Sequence, residues 1–151
     1  TAEQNGPVSL DLFRETFATN VLGAVAAIEA FLPLLTKAEH ARIVNVSSTM
    51  GSLADQGDPE SPYYSVVVPA YQSSKAALNG ITVALSKALE DAGIAIYSVC
   101  PGFVQTDLTP MNRDNAPLTP EDAAETVARF ALSEDASLSG QFLSSAGPVP
   151  W

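Results

Sequence analysis

The 151-residue chain is 46% hydrophobic, which fits one globular domain or a large part of one. Its 17 acidic and 7 basic residues give a formal net charge of −10, which argues against a nucleic-acid partner because phosphate binding needs clustered Lys and Arg. The single cysteine, Cys100, excludes an intrachain disulfide, so we expect a reducing, cytoplasmic setting. Residues 1–7 lack the layout of a signal peptide. We find no apolar run that is long enough to span a membrane, and we expect no membrane partner.

The first half of the chain predicts a loop, a helix, a strand and a second loop. Residues 1–8 are the first loop, and apolar residues then recur every three or four positions over residues 9–35, as in a helix. Ser9 and Asp11 are candidate N-caps for that helix. The β-branched run over residues 43–46 predicts a buried strand. Prolines and glycines predict a long loop over residues 49–69.

The second half predicts two more helix–strand pairs. An apolar stripe predicts a helix over residues 71–91, followed by a strand over residues 94–99 and a loop over 103–118. The pair Thr119-Pro120 predicts the start of a helix, which ends near Leu132, because Thr caps helices and Pro favours their first position. Residues 141–144 predict a third strand.

Helices that alternate with buried strands predict an α/β fold with a parallel sheet. In such sheets ligands bind beyond the carboxyl ends of the strands, where Ser47, Ser48, Pro101 and Gly102 fall.

Tyr71 and Lys75 share one face of the predicted helix, because they are four positions apart. A nearby ammonium group lowers the pKa of a phenol, so this pair predicts a tyrosine that can exchange a proton with a substrate oxygen near neutral pH. Ser48 ends the preceding strand and could hydrogen-bond the same oxygen. Asn20 lies in mid-helix, where an amide is slightly unfavourable. Taken singly, Ser48 is better explained as a turn residue and Asn20 as an exposed or locally bonded amide.

Four segments in chain order resemble the short-chain dehydrogenase/reductase family: Asn20-Val21, Ile43-Val44-Asn45-Val46-Ser47-Ser48, Tyr71-Gln72-Ser73-Ser74-Lys75-Ala76-Ala77 and Val99-Cys100-Pro101-Gly102-Phe103-Val104-Gln105-Thr106. The resemblance covers essentially the whole chain. It implies an α/β fold, namely the C-terminal part of a Rossmann-type doubly wound parallel sheet. It also implies an oxidoreductase that transfers hydride between NADP or NAD and a small carbonyl or alcohol substrate.

The resemblance implies a role for each matching residue. Tyr71 would be the acid/base, and Lys75 would lower the Tyr71 pKa and bind the nicotinamide ribose. Ser48 would polarise the substrate oxygen, and Asn20 would hold a water that links Lys75 to solvent. Four further residues would face the nicotinamide: Pro101, Gly102, Val104 and Thr106.

Two features resemble the carbonyl-reductase-like branch of the family. Ser48 and Tyr71 are farther apart in the sequence than in common members, with the extra length in residues 51–69, and the chain ends in Gly147-Pro148-Val149-Pro150-Trp151. We consider two readings of the insert: a wall over the substrate site, or a surface loop that covers the sheet.

The family's glycine-rich pyrophosphate turn has no counterpart in the chain, whose closest pair of glycines is Gly51 and Gly57. The resemblance therefore implies a single partial domain over residues 1–151, the catalytic portion without the first strands. The residue that selects NAD or NADP would be missing with them. We expect a free strand edge that promotes association, and a homo-oligomer for the full-length protein.

Three hypotheses follow for function. The first is the oxidoreductase, and the second is a truncated, catalytically inactive piece that acts through its helix surfaces. The third, a binding module, is disfavoured because Asn20, Ser48, Tyr71 and Lys75 are all present. No spacing of His, Cys and carboxylates suggests a metal site. His40 is expected at the surface, and Trp151 either packs on a neighbouring subunit or is exposed.

Overall fold

Four strands form one sheet in the order β1-β2-β3-β4 in the computed structural model, which describes residues 8–151. The strands are β1 (Arg42–Val46), β2 (Ala95–Val99), β3 (Phe142–Ser144) and β4 (Gly147–Pro148). β1, β2 and β3 are parallel, and β4 pairs with β3 in the antiparallel sense. The α/β prediction and its three parallel strands are confirmed, whereas β4 was not predicted.

Residues 8–151 contain six α-helices: α1 (Leu10–Phe17), α2 (Gly23–Leu35), α3 (Leu53–Gly57), α4 (Pro69–Ala88), α5 (Pro110–Asn115) and α6 (Pro120–Ala131). Helices α1 and α2 are continuous through a π-helical turn, Ala18–Leu22, and Ser9 caps the start of α1. The predicted loops over 49–69 and 103–118 contain α3 and α5, which the sequence analysis missed. The loop predicted over residues 1–8 lies, except for Val8, outside the described residues.

Helices pack on both faces of the sheet. On one face α2 and α4 bury Ile43, Ile94 and Ile96 of the sheet region beneath Ile28 and Leu85. On the other face α6 packs Phe130 and Val127 against the alternate side chains of β2. The strand β2 is completely buried because helices cover both of its faces, which explains its largely apolar sequence. This three-layer arrangement agrees with the doubly wound fold.

The continuous helix Leu10–Leu35 is long and apolar enough, by length and composition, to cross a membrane. Only 6% of its most apolar window is buried, and its mean hydropathy is 1.7. The expectation that no apolar run is long enough to span a membrane is therefore wrong by this criterion, because isolated polar residues such as Thr19 and Asn20 interrupt the run but leave its mean hydropathy high. Core helices pass the same test, and α2 contributes Ile28 and Leu32 to the core. The absence of a membrane partner stays a prediction.

Within residues 8–151, β1 pairs with β2 along one edge and with no strand along the other. The unpaired edge borders a groove of about 540 Å³ between β1 and α2, with Phe31, Val44 and Val46 in its lining. Unpaired N–H and C=O groups on a strand edge promote pairing with another chain.

We expect the 151-residue chain to self-associate through this edge, and Val46→Lys to shift it towards monomer, because a lysine on an edge strand disfavours pairing. Sedimentation velocity at several protein concentrations measures the shift. Val67→Lys is the matched control, since Val67 is 70% exposed in the segment before α4 and lies outside the lining of the groove beside β1. A wild-type chain that stays monomeric at every concentration would contradict the expectation.

Candidate active site

The eight residues to which the family resemblance assigns a role line one cleft of about 410 Å³ at the carboxyl ends of β1 and β2. They come from four separate parts of the chain: the π-helical turn, the end of β1, the first turns of α4 and the segment after β2. The eight residues are Asn20, Ser48, Tyr71, Lys75, Pro101, Gly102, Val104 and Thr106. The fold therefore brings together residues that are dispersed in the sequence.

Helix α4 places Tyr71 and Lys75 one turn apart. It begins at Pro69, two residues earlier than predicted, and Pro suits this first position because it has no N–H to leave unbonded. Lys75 Nζ lies 5.6 Å from the centroid of the Tyr71 ring. The same ammonium group donates a hydrogen bond of 2.8 Å to the backbone carbonyl of Val46, the last residue of β1. Lys75 thus connects the tyrosine to the end of the strand.

Ser48 follows β1 and caps a short 3₁₀ turn, Thr49–Gly51. Its hydroxyl accepts a hydrogen bond of 3.2 Å from the N–H of Met50. A hydrogen bond between the Ser48 and Tyr71 side chains also favours the ionised form of the tyrosine. The hydroxyls of Ser48 and Tyr71 are therefore adjacent, as two groups that act on the same substrate oxygen must be.

Burial determines the direction of both pKa shifts in the cleft. It raises the pKa of Tyr71, against the opposing effect of the Ser48 hydrogen bond, and the nearby Cys100 raises it further. Burial also lowers the pKa of Lys75. The predicted lowering of the Tyr71 pKa by Lys75 is not the net result, because burial raises that pKa. The Lys75 ammonium group is directed at the Val46 carbonyl.

Buried hydrogen bonds fasten α4 to the strands beneath the cleft. Ser47 Oγ donates to Asn79 Oδ1 at 2.7 Å, and Asn45 Nδ2 donates to Thr82 Oγ1 at 2.9 Å. Thr82 Oγ1 also lies 2.9 Å from Ser98 Oγ of β2. We call these five side chains the polar seam. Among residues 8–151, no buried side-chain nitrogen or oxygen lacks a partner, so the seam is fully bonded.

The 3₁₀ turn that Ser48 caps lies directly against α4. A Cβ placed on Gly51 would come within 2.8 Å of the Lys75 carbonyl carbon and Cβ, and within 2.9 Å of the Ala76 nitrogen. These are backbone atoms or lie next to backbone, so they cannot move aside cheaply. Only glycine allows this approach, which sets the separation between Ser48 and Lys75.

The segment after β2 forms the other wall of the cleft. Gly102 has a φ of +98°, a conformation that favours glycine, and a Cβ there would lie 2.5 Å from Leu118 Cδ1. Val104 pairs with Leu118 in an isolated bridge, and its carbonyl accepts a hydrogen bond of 3.2 Å from Asn112 Nδ2. The wall is therefore held in place by α5 and by the residues just before α6.

Part of the cleft lining consists of residues that were not predicted from the sequence. Leu108 lies before α5 and Asn112 lies in it, whereas Ala123, Ala124 and Val127 come from α6. A signal for α5 was present, since Thr109-Pro110 has the same capping pattern as Thr119-Pro120, and Thr109 does cap α5. The α6 residues gave no chemical signal, because they contribute only apolar surface.

The insert over residues 51–69 contributes no residue to the lining of this cleft. Its helix α3 contacts the C-terminus instead, since the Ala54 N–H donates to the Trp151 carbonyl at 2.9 Å. The Trp151 ring stacks on Phe142, with 5.6 Å between the ring centroids. Of the two readings of the insert, the surface loop describes this arrangement. Trp151 packs within its own chain and is 41% exposed.

His40 is exposed, as expected, between α2 and β1. In the part of the chain that the structure describes, no group of three His, Cys, Asp or Glu side chains could hold a metal ion.

Comparison with known proteins assigns the chain to a family. The family profile described as short chain dehydrogenase matches residues 3–117. C-signal of Myxococcus xanthus is 33% identical over 147 residues, which cover 97% of this chain and 82% of that protein. (+)-Neomenthol dehydrogenase of Arabidopsis thaliana is 31% identical in an alignment of 155 positions, which covers 81% of this chain and 51% of the relative.

The fold is also similar to solved structures of carbonyl reductases. The NADPH-bound carbonyl reductase from chicken fatty liver superposes with a TM-score of 0.80 at 29% identity. The match covers 95% of this chain and 59% of the reductase. The first three curated relatives are matched over 39%, 51% and 48% of their length, so the chain spans about half the length of these proteins.

We expect Gly51→Ala to destabilise the protein by about 1–3 kcal/mol, the usual cost of a methyl group forced into a packed contact. Urea denaturation followed by circular dichroism measures the change. Gly80→Ala is the control, because a Cβ at Gly80 meets no atom within 4 Å and the position is in the middle of α4. Gly80→Ala should stabilise by about 0.5–1 kcal/mol through its helix propensity. Equal effects of the two substitutions would contradict the close approach at Gly51.

Proposed function

The chain belongs to the short-chain dehydrogenase family, and we propose that it carries the catalytic residues of an NAD(P)-dependent oxidoreductase acting on small carbonyl compounds and alcohols. The observation that carries the proposal is the single cleft lined by Asn20, Ser48, Tyr71 and Lys75 together with the segment after β2. The activity of the whole protein, its substrate and its assembly as a homo-oligomer are parts of the same proposal. A cytoplasmic location, suggested by the single Cys100, is a further part of it.

Tyr71 is proposed to move the proton. In the reducing direction its hydroxyl donates a proton to the carbonyl oxygen of the substrate, and in the oxidising direction its phenolate accepts one from the alcohol. The raised pKa keeps the hydroxyl protonated at neutral pH, which suits the reducing direction. Ser48, whose hydroxyl is adjacent, is proposed to hydrogen-bond the same oxygen and to polarise it.

The chemistry of the cleft fits the nicotinamide end of the cofactor. Lys75 and Tyr71 supply a cation and a hydroxyl that could hydrogen-bond ribose, whereas Pro101, Gly102 and Val104 form a largely apolar wall for a flat ring. Thr106 is proposed to lie near the carboxamide. When bound, the nicotinamide supplies or accepts the hydride. Both NADP and NAD remain candidates, although the chicken reductase contains NADPH.

Asn20 is proposed to bind a water molecule that connects Lys75 with solvent. It lines both the candidate active site and the groove beside β1, so it stands between the two openings. Burial lowers the pKa of Lys75, so its ammonium group releases a proton more readily than that of an exposed lysine.

The alternative function is a non-catalytic protein that acts through its surface. Two observations favour its consideration: the match to C-signal covers 82% of that relative, a larger share than for the dehydrogenases, and the α2 helix exposes Phe31 and Leu34. Nicotinamide contacts alone are few for holding a dinucleotide. Micromolar binding in a fluorescence titration of the 151-residue chain with NADPH and NADH would exclude this alternative.

We expect Tyr71→Phe to lower the carbonyl reductase rate of the protein by at least about 100-fold, because general acid catalysis is worth that much or more. NADPH oxidation at 340 nm, measured with a panel of carbonyl substrates, reports the rate. Tyr64→Phe is the matched control, since Tyr64 is exposed in the insert and lies outside the cleft lining. A Tyr71→Phe protein that retains the full rate would refute the proposed role.

We expect Ser48→Ala to move the pH dependence of alcohol oxidation to higher pH. The Ser48 hydrogen bond lowers the Tyr71 pKa, so its removal leaves the raising effects of burial and Cys100 less opposed. Lys75 and Cys100 are the other charged or titratable groups that face Tyr71. Oxidation needs the phenolate, so its rise in kcat/KM should begin at higher pH than in the wild type.

The profile of kcat/KM between pH 6 and about 11 tests this shift, with Ser73→Ala as the control because the Ser73 hydroxyl bonds only to carbonyls of its own helix. An unchanged or lowered midpoint in Ser48→Ala would contradict the assigned direction.

A further inference from the structure

Ser74 connects the helix that carries Asn20 to the helix that carries Tyr71 and Lys75. Its side chain is fully buried, with 0% exposure. Asn20 Nδ2 donates a hydrogen bond of 3.0 Å to Ser74 Oγ. The Ser74 hydroxyl in turn donates to the backbone carbonyl of Tyr71, at 2.7 Å. A continuous hydrogen-bonded path thus runs from the Asn20 amide to the backbone of Tyr71.

This path fixes the orientation of the Asn20 amide. A serine hydroxyl has one proton, and the Ser74 proton is used by the Tyr71 carbonyl, so Ser74 can only accept from Asn20. The amide must therefore present its NH₂ group to Ser74 and direct its carbonyl oxygen elsewhere. Asn20 Oδ1 accepts no hydrogen bond from a described side chain or backbone group and is not a buried unsatisfied atom, so it is open to solvent.

The backbone around Asn20 has a conformation that needs such support. Asn20 is the central residue of the π-helical turn Ala18–Leu22, where the regular helix is interrupted. π-Helical turns are rare in proteins, and those that occur are frequently found at functional sites. Val21, the next residue, is the one buried residue of the turn. The turn contacts α4, the helix that contains Ser74.

We propose that Ser74 is a positioning residue for Asn20: it binds the amide NH₂ group and so leaves the Asn20 carbonyl oxygen available as an acceptor at the opening of the cleft. The catalytic consequence rests on the proposed function, in which Asn20 binds the water that serves Lys75. Ser74 itself contacts neither substrate nor cofactor and acts through Asn20. Without its hydroxyl, the amide can rotate and present either end to the cleft.

Hydrogen exchange of the Asn20 side-chain amide, followed by NMR, tests the positioning directly and needs no turnover. The NMR signal of the Asn20 side-chain amide is identified as the one that is missing from the spectrum of the Asn20→Ala variant. Ser74→Ala should speed exchange about fivefold, since a typical hydrogen bond has a net value of about 1 kcal/mol. Ser73→Ala is the matched control, because the neighbouring hydroxyl bonds to the carbonyls of Pro69 and Ala70 and not to Asn20. Equal exchange in wild type and Ser74→Ala would overturn the proposal.

Kinetics give the second measurement. Ser74→Ala should lower kcat by about tenfold and leave KM unchanged, because a misplaced group costs rate rather than binding. The double variant with Asn20→Ala should be no slower than Asn20→Ala alone, since both changes remove the same function. An additive loss, or a Ser74→Ala rate equal to that of Ser73→Ala, would overturn the proposal.

Two further results separate the possible failures. A protein with no reductase activity towards any carbonyl substrate would refute the proposed function, and the exchange rate alone would then decide the role of Ser74. If Ser74→Ala does not fold, Ser74→Cys keeps the side-chain size and replaces the hydroxyl with a weak acceptor. It should show the same faster exchange, and its failure to do so would count against the proposal.

Discussion

The polar seam between α4 and the sheet is the constraint on which the rest of the site depends. Asn45, Ser47 and Ser98 are strand-associated side chains that meet Asn79 and Thr82 of α4 in a buried layer. In a low-dielectric interior such hydrogen bonds are strong when every polar group has a partner, and each unpaired polar group lowers the stability of the fold. Sliding α4 along the sheet would break several of them at once. The seam therefore fixes the position of Tyr71 and Lys75 relative to the strand ends.

Above the seam, the site combines rigid spacing with partial burial. Gly51 allows the Ser48 turn to touch α4, and the Ser74 hydroxyl bonds α4 to the π-helical turn. The same close packing removes water from Tyr71 and Lys75, so burial disfavours the charged form of each. The arrangement that brings the reactive groups together is thus also the cause of their perturbed pKa values.

The sequence predicted well those features that depend on local chemistry or on a strong periodic pattern. The three parallel strands and the capped start of α6 are examples, and Thr119 caps that helix as expected. The π-helical turn could not be predicted, since its only local sign is the weak helix propensity of Asn20. The seam was also missed, because Asn79 and Thr82 look like ordinary polar residues until the fold places strand hydroxyls opposite them.

The free edge of β1 and the position of Lys75 are physically connected. The Ser47 N–H donates to the Val99 carbonyl, and the Ala41 carbonyl accepts from the Ala95 N–H. The backbone N–H and C=O groups of the odd-numbered residues of β1 are therefore directed at β2. The backbone groups of Val46 are therefore directed at the other, unpaired edge, and the Val46 carbonyl accepts the hydrogen bond from Lys75 Nζ. Any strand that pairs with this edge as far as Val46 meets a carbonyl that is already bonded to the ammonium group. Pairing at the edge and the position of the cation beside Tyr71 consequently cannot vary independently.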